Sequence, residues 1–286
     1  MVKLLLLCIF SIFVFAKPIV SVSIPPQAFF VEKIAKDSVE INVLIPQNSD
    51  EHNVEFKPQV LKKLEESKIY FLADLELEKI LEEKFKNTLK NVKIVNINQN
   101  IELFEDEDHE EEHHNHHEHH EHHEHGKDPH VWLDPILVKI QAENISKALS
   151  EVFPQNKAFY EENLKVFLKE LDELDEKIKA KLQNIKKNEF IVYHPSWAYL
   201  AKRYNLIQIP VQIDGKEPKA KDLQNLILLA KEKDIRIVFI QPGFPESAIK
   251  TLAKELNAKI ISINHLARNW DEELLKSVDA LNLALQ

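Results

Sequence analysis

The sequence predicts an α/β protein of two lobes, each built on a parallel sheet, with one long α-helix joining them. Short runs rich in β-branched residues alternate with helical patterns, and this alternation occurs twice along the chain. Strand–helix–strand alternation is typical of parallel sheets with right-handed crossovers. The predicted strands cover residues 18–24, 39–45, 68–73 and 93–97 in the first set, and 189–194, 207–213, 235–241 and 259–263 in the second.

Helical patterns separate these strands, and a longer one joins the two sets. The shorter predicted helices cover residues 58–66, 135–152, 197–204, 220–233 and 245–256. In residues 155–185, apolar side chains recur at helical spacing from Val166 to Ile185, with Glu and Lys on the other faces. A helix of this length spans roughly 45 Å, longer than a small domain is wide. We interpret it as a rigid strut between the lobes, with a coiled-coil or dimer helix as the alternative.

The predicted domain boundaries follow from this strut. They are residues 17–153 for the N-terminal lobe, 154–187 for the connecting helix and 188–286 for the C-terminal lobe. Only three glycines occur, and none lies at a junction between lobe and helix. We therefore expect no wide hinge motion. We also expect the protein to be a monomer.

Residues 1–16 have the features of a secretory signal peptide. Lys3 supplies the positive charge, residues 4–15 form the apolar stretch, and Ala16 ends a plausible cleavage site. The only cysteine is Cys8, so removal of this segment leaves no thiol for a disulfide or a metal site. We expect the mature chain in the periplasm, with any metal held by His and carboxylate side chains.

The acidity of the chain is local. The chain has 37 basic and 47 acidic residues, for a net charge of −10. Eleven of the acids lie in residues 102–125, and the rest of the chain after residue 16 carries 36 charges of each sign. This balance argues against a nucleic acid partner.

Residues 102–125 consist almost entirely of histidines and carboxylates. Imidazole is a common transition-metal ligand, and interleaved carboxylates attract divalent cations. The composition cannot form a packed core and predicts a disordered loop over residues 102–127. It is either an accessory metal-binding tract or a charged spacer without a metal role. The histidines in question are His109, His113, His114, His116, His117, His119, His120, His122, His123 and His125.

Four histidines lie outside this tract: His52, His130, His194 and His265. The first three fall where a predicted strand gives way to a turn. In open α/β sheets the carboxyl ends of the strands line the ligand crevice. Sequence spacing alone does not decide whether these three converge on one cleft.

The segments around these histidines resemble the motifs of one protein family. They are Asp50-Glu51-His52 followed by Pro58, Asp128-Pro129-His130-Val131-Trp132-Leu133-Asp134-Pro135, Tyr193-His194-Pro195-Ser196-Trp197-Ala198-Tyr199, and Gly215-Lys216-Glu217-Pro218. Together with the long helix, they make the chain similar to the metal-binding proteins of bacterial ABC importers, the cluster A-I family of zinc and manganese uptake. The resemblance spans essentially the whole mature chain. A His-rich acidic loop before the Asp-Pro-His motif points to the zinc-uptake branch.

The resemblance implies a metal ion held between the lobes. It implies His52 and His130 as ligands from the N-terminal lobe and His194 as a ligand from the C-terminal lobe. Glu51 resembles the acidic neighbour of some zinc-branch members and is the expected fourth ligand, with a water molecule as the alternative.

One position departs from the family pattern. Members often place an acidic ligand in the last strand of the second lobe, where this chain has Asn264. A neutral amide is a poor zinc ligand, so this contribution is in question. His265 is the other candidate there, although we expect its neighbour Asn264 to face the cleft.

The expected function is a high-affinity periplasmic receptor that delivers Zn2+ to the permease and ATPase of an ABC importer, with no catalysis. Three imidazoles and at most one carboxylate suit tetrahedral zinc better than manganese. The alternatives are a receptor for manganese or another divalent metal, a metal-dependent adhesin of the same fold, and a zinc hydrolase with Glu51 as general base. Against the hydrolase, no His-Glu-x-x-His motif lies on a predicted helix.

Overall fold

The computed structural model describes residues 16–286 except residues 53, 86, 106–125 and 214. The predicted signal peptide, apart from its last residue, and all ten histidines of the tract lie outside the described residues. Within the described part of the chain, no helix is both long enough and apolar enough to cross a membrane.

The N-terminal lobe has a four-stranded parallel sheet in the order β2-β1-β3-β4. Its strands are β1 (Ile19–Val22), β2 (Glu40–Val43), β3 (Ile69–Leu72) and β4 (Lys93–Asn96). Its helices are α1 (Pro25–Ala35), α2 (Pro58–Glu66), α3 (Glu76–Phe85) and α4 (Pro135–Val152). Asp134 caps α4, because its side chain accepts hydrogen bonds from the backbone N–H groups of Ile136 and Leu137.

The C-terminal lobe repeats this plan with the strand order β6-β5-β7-β8, again all parallel. Its strands are β5 (Glu189–Val192), β6 (Ile207–Pro210), β7 (Ile237–Ile240) and β8 (Lys259–Ser262). Its helices are α6 (Ala198–Arg203), α7 (Ala220–Glu232), α8 (Ser247–Leu256) and α9 (Trp270–Ala284). The two parallel sheets confirm the predicted fold class.

One long helix, α5 (Lys157–Leu182), links the lobes. It begins two residues later than predicted, because a short 3-10 turn at Pro154–Asn156 precedes it. Its buried face includes Phe167, Leu171 and Ile178, in agreement with the apolar periodicity. Helices α1, α4 and α9 pack against it.

One hydrophobic cluster runs through both lobes, and a smaller one lies within each lobe. Trp270, at the start of α9, packs edge-on against Phe30 of α1 at 5.0 Å between ring centroids. Its indole N–H donates to the Trp132 carbonyl at 2.8 Å, and the Trp132 indole N–H donates to the His265 carbonyl at 2.8 Å. The C-terminal helix is therefore tied to the N-terminal lobe as well as to its own.

Several elements differ from the sequence expectation: the strands are shorter than predicted, and helices α1 and α3 lie outside the predicted ranges. Strand β6 ends at Pro210 and not at residue 213, although the backbone N–H groups of Val211 and Gln212 still donate to the carbonyls of Val192 and Tyr193 at 2.9 Å. Helix α9 was not predicted, although Trp270, Leu274, Val278 and Leu281 are buried at helical spacing.

Candidate metal site

The cleft between the lobes contains the side chains that could bind a ligand. Glu51 and His52 follow β2, His194 follows β5 and His265 follows β8, so four of these residues come after the carboxyl ends of strands. His130 precedes the 3-10 turn Val131–Leu133 that leads into α4. The topology thus places all five residues at the facing edges of the two sheets.

The loop that carries Glu51 and His52 is held by local hydrogen bonds. The Asp50 side chain accepts from the His52 backbone N–H at 2.9 Å, an Asx turn that reverses the chain. Ser49 Oγ donates to the Pro46 carbonyl at 2.5 Å. The turn buries Glu51, which is 4% exposed, and leaves His52 exposed at the mouth of the cleft.

His130 is oriented by Asp128. One Asp128 carboxylate oxygen lies 2.7 Å from His130 Nδ1 and also accepts from the His130 backbone N–H at 2.9 Å. Occupation of Nδ1 directs Nε2 of the ring toward the cleft. A histidine that binds a metal through one nitrogen commonly has the other nitrogen held by a carboxylate in this way.

His194 is oriented by neutral side chains. Its Nδ1 lies 2.9 Å from Gln212 Oε1, and its backbone is held by Gln241, which accepts from the N–H at 3.2 Å and donates to the carbonyl at 2.6 Å. Phe244 stacks on the imidazole at 4.9 Å with an interplanar angle of 16°. As in His130, Nε2 is the ring nitrogen that faces the other donors of the cluster.

At the end of β8 the structure differs from the sequence expectation. His265 is buried in the cleft, with Nε2 2.7 Å from Glu51 Oε1. The Asn264 amide instead donates to Asn48 Oδ1 at 2.9 Å, and its oxygen accepts from the Leu266 backbone N–H at 3.0 Å. Asn264 therefore joins the two lobes beside the cluster, and His265 is the residue of this pair that lies in it.

The donor atoms of Glu51, His130 and His194 form a compact set. The two Nε2 atoms are 3.2 Å apart, and Glu51 Oε1 is 3.4 Å from His130 Nε2 and 3.5 Å from His194 Nε2. Ligands at about 2.0–2.1 Å from a tetrahedral zinc ion are separated by about 3.3 Å. The three spacings match that value. Glu51 Oε1 and His265 Nε2, at 2.7 Å, are at hydrogen-bonding distance instead.

His52 adds a donor on the solvent side. One of its ring nitrogens lies within 4.8 Å of the donor atoms of Glu51 and His194, and its ring centroid is 5.0 Å from that of His194. A second group with the same spacing contains Glu51, His130 and His265. The structure thus brings together all four principal ligand candidates and His265. The ten candidates of the tract lie outside the described residues.

Burial and neighbouring charges shift the pKa values of the residues in the cluster, in different directions. Burial alone would raise the pKa of Glu51, but the neighbouring imidazoles of His265, His130 and His194 hold it well below its usual value. Burial also opposes the charged form of His130, yet Asp128 and Glu51 raise its pKa to about 9. Burial, together with the charge of the other histidines, lowers the pKa of His194. At neutral pH the cluster therefore holds an anionic Glu51 and a charged imidazolium at His130.

Two buried polar atoms of the cluster lack a hydrogen-bond partner among the described residues. They are Glu51 Oε2 and His265 Nδ1. Buried polar atoms without partners are costly and are often found where a ligand binds. Both can donate an electron pair to a cation. The donor set is therefore suited to a divalent cation that prefers nitrogen ligands.

Sequence reasoning did not identify the residues of the C-terminal lobe that hold His194 in place. Gln212, Gln241 and Phe244 all contact His194, but they come from three different segments of the C-terminal lobe. Nothing in their local sequence marks them. Asp128 and Asp134 both flank His130, and the sequence did not decide which of them holds its second ring nitrogen. In the structure Asp128 does so.

Two α/β lobes with His and carboxylate donors converging in the cleft define a metal-binding protein of the solute-receptor class. The chain belongs to the family of zinc-uptake complex component A periplasmic proteins, ZnuA, whose family model matches residues 20–279. This confirms the resemblance to the zinc branch of the metal-receptor family.

Relatives and solved structures agree with this assignment. The high-affinity zinc uptake system protein ZnuA of Bacillus subtilis is 31% identical over 266 residues, which cover 91% of this chain and 82% of the relative. The zinc-binding protein AdcA of Streptococcus pyogenes is 28% identical, and the match covers 89% of this chain but 51% of AdcA. The chain thus spans about half of the length of that relative.

Among solved structures, a crystal structure of ZnuA has a TM-score of 0.87 and 39% identity, with 94% of this chain and 100% of that chain covered. A ZnuA deletion mutant with zinc bound has a TM-score of 0.85 and 38% identity, with 94% and 98% covered. A manganese-bound periplasmic protein from candidatus liberibacter asiaticus, 19% identical with a TM-score of 0.79, shares the fold.

Proposed function

We propose that this chain captures Zn2+ outside the cytoplasm with high affinity and delivers it to an ABC importer. The observation that carries the proposal is the spacing of Glu51 Oε1, His130 Nε2 and His194 Nε2, which matches the edges of a tetrahedral zinc site. His52 completes the set as the ligand nearest solvent, so that the proposed ligands are Glu51, His52, His130 and His194. Zinc is cargo in this proposal, and no chemical step is involved.

The donor chemistry favours zinc over manganese as the cargo. The proposed set has three imidazole nitrogens and one carboxylate, whereas manganese prefers more oxygen ligands. His265 Nε2 donates to Glu51 Oε1 in the metal-free cluster, which orients this carboxylate toward His130 and His194. His265 is proposed to support Glu51 and not to replace His52 as a ligand.

The proposed partners are the permease and ATPase of a zinc ABC importer, and the proposed location is the periplasm. The support is the membership in a family of periplasmic zinc-uptake components and the likeness to a zinc uptake system protein. The predicted signal peptide agrees with export. We propose that the chain acts as a monomer.

The His-rich tract is proposed to be an accessory zinc store. The described residues that flank residues 106–125 lie close to the cluster. Glu105 pairs with Lys127, Phe104 stacks on Tyr199 of the C-terminal lobe at 4.1 Å between ring centroids, and the Tyr199 hydroxyl donates to the Asp128 carbonyl at 2.7 Å. Zinc held on the tract would therefore be concentrated close to the cleft. Deletion of residues 106–125 should lower the zinc stoichiometry and leave one tight site. Loss of the tight site with this deletion would contradict the accessory role.

Competition titration tests the main proposal. We expect the chain lacking residues 106–125 to bind one zinc ion from a chelating dye, and excess manganese not to displace it. His52→Ala, His130→Ala and His194→Ala should each weaken zinc binding by at least about 100-fold, more than the loss of a residue that only supports a ligand. Unchanged zinc affinity in all three variants would contradict the assignment of the site.

A further inference from the structure

The connection between β7 and α8, residues 241–246, supports the cleft from the C-terminal lobe. Gln241 holds the backbone of His194, and Phe244 stacks on its imidazole at 4.9 Å. Gly243 lies between these two contacts and faces the N-terminal lobe. This connection therefore joins a proposed ligand of one lobe to the surface of the other.

The backbone of Gly243 lies so close to the N-terminal lobe that a residue with a Cβ atom would not fit. A Cβ atom on Gly243 would lie 2.8 Å from the Asp50 backbone nitrogen, 2.8 Å from the Ser49 carbonyl carbon and 3.0 Å from Ser49 Cα. These atoms are backbone, so no side-chain rotation can relieve the contact. Asp50 directly precedes Glu51 and His52 in the chain, so a displacement here moves both proposed ligands.

A second contact joins the same loop to the C-terminal lobe. The Asn264 amide donates to Asn48 Oδ1 at 2.9 Å, and Asn264 directly precedes His265. Residues 48–50 thus meet the C-terminal lobe at two points, one beside His194 and one beside His265. We call these two contacts the interlobe seam.

We propose that Gly243 is a positioning residue that sets the spacing of the lobes required for tight metal binding. Its missing side chain lets the loop of residues 48–50 reach the C-terminal lobe. That approach brings Glu51 Oε1 to 3.5 Å from His194 Nε2 and to 2.7 Å from His265 Nε2. Donors in a metal site must be held to within about 0.5 Å, so a methyl group in the seam would separate the N-terminal donors from His194. The inference rests on the proposed zinc site.

Gly243→Ala tests the proposal, and Gly215→Ala is the matched control. Both glycines have positive φ, +91° at Gly243 and +69° at Gly215, so alanine is strained at either position. A Cβ at Gly215 meets no atom within 4 Å, so only the strain is shared. We expect Gly243→Ala to weaken zinc binding by about 10- to 100-fold, the loss typical of residues that support metal ligands. Gly215→Ala should leave zinc affinity unchanged, because the Gly215 carbonyl that accepts from Gln212 Nε2 at 3.4 Å is a backbone group and is kept in alanine.

A double-mutant comparison separates positioning from general destabilisation. If Gly243→Ala already separates His194 from the other donors, His194→Ala should cost less zinc affinity in that background than in the native chain. Equal losses in the two backgrounds would contradict positioning. Should Gly243→Ala not fold, Asn264→Ala opens the same seam without added atoms. A several-fold loss of zinc affinity would support the seam, and native affinity would contradict it.

The outcomes also distinguish this inference from the proposed function. If the native chain binds zinc tightly and folded Gly243→Ala binds it equally well, the inference is wrong and the function stands. If the native chain binds no zinc in the competition titration, both are wrong.

Discussion

His130 shows how the surroundings of a single residue can prepare it for a metal ion. Asp128 holds its Nδ1 at 2.7 Å, and Glu51 faces its Nε2 at 3.4 Å. These two carboxylates raise the pKa of His130 to about 9 in spite of its burial. A proton therefore occupies the cluster at neutral pH, and a metal ion bound to Nε2 must displace it.

This displacement predicts a pH-dependent affinity. Because His130 is protonated below about pH 9 in the metal-free protein, zinc binding releases its proton there. The apparent zinc affinity should then increase by up to about tenfold per pH unit between pH 6 and 9 from this proton alone. Competition titrations across this range would measure the slope. A flat profile would contradict a proton on a ligand nitrogen.

Asp128→Asn should weaken zinc binding by about 10- to 100-fold without removing a ligand. The amide no longer stabilises the charged imidazole, so the pKa of His130 should decrease and the pH dependence should shift to lower pH. Glu78→Gln is the control, because it changes a buried carboxylate whose hydrogen-bond partners, Ser23, Ala73 and Leu75, are not residues of the cluster. An Asp128→Asn variant with native affinity would show that His130 does not need its carboxylate partner.

At the residue scale, the sequence pointed to Glu51, His52, His130 and His194, which the structure brings together, but Asn264 and not His265 was expected to face the cleft. Strand alternation decides which side chains share a face, but β8 ends at Ser262, before both residues. Beyond a strand end, side-chain direction depends on tertiary contacts such as the bond from Trp132 to the His265 carbonyl. The local sequence does not encode that contact.

Among the individual elements, the start of α3 depends on one buried carboxylate. Glu78 accepts from the Ala73 backbone N–H at 2.9 Å and from that of Leu75 at 3.0 Å, which holds the turn between β3 and α3. Burial raises the pKa of Glu78 to about 8, although these hydrogen bonds and one from Ser23 oppose the shift.

Stability should therefore depend on pH through Glu78. The folded state retains the proton up to about pH 8, whereas the ordinary pKa is 4.5, so unfolding releases a proton between these values. The contribution of this proton to the free energy of unfolding is complete below pH 4.5. It is lost as the pH increases toward 8, by at most about 1.4 kcal/mol per pH unit. Denaturant titrations of metal-free protein from pH 5 to 9 would measure the free energy of unfolding. It should change less with pH in Glu78→Gln than in the native chain. An equal pH dependence in the two proteins would rule out this titration.

Most elements could be predicted because their patterns are strong. The long helix α5 has regular apolar spacing, and the buried strands are rich in β-branched residues. Helix α9 carries an equally regular pattern that was not used. The end of β6 was predicted less well, because the apolar run continues to residue 213 and the backbone of Val211 and Gln212 still bonds to β5 after the strand has ended at Pro210.

For the whole molecule, the shared core limits how far the lobes can separate. Trp270 of α9 packs on Phe30 of α1, and the Arg203 side chain of α6 lies 2.5 Å from the Asp134 carboxylate that caps α4. Contacts between lobes thus exist on the side of the cleft that faces α5 as well as at the interlobe seam. Two lobes that are held together in this way should change their relative position little when a ligand binds.

We therefore predict that zinc changes the overall dimensions little. The radius of gyration of the chain lacking residues 106–125 should differ by less than about 1 Å with and without zinc. Small-angle X-ray scattering would measure this difference. A larger compaction on zinc binding would indicate a wide hinge motion, which the shared core does not allow.

The most direct test of the account is a crystal structure of the zinc-loaded chain lacking residues 106–125, with anomalous diffraction recorded on both sides of the zinc edge. We predict one anomalous peak in the cleft, about 2.0–2.2 Å from Glu51, His52, His130 and His194. A peak elsewhere, or a zinc ion in the cleft that contacts none of these side chains, would contradict the account.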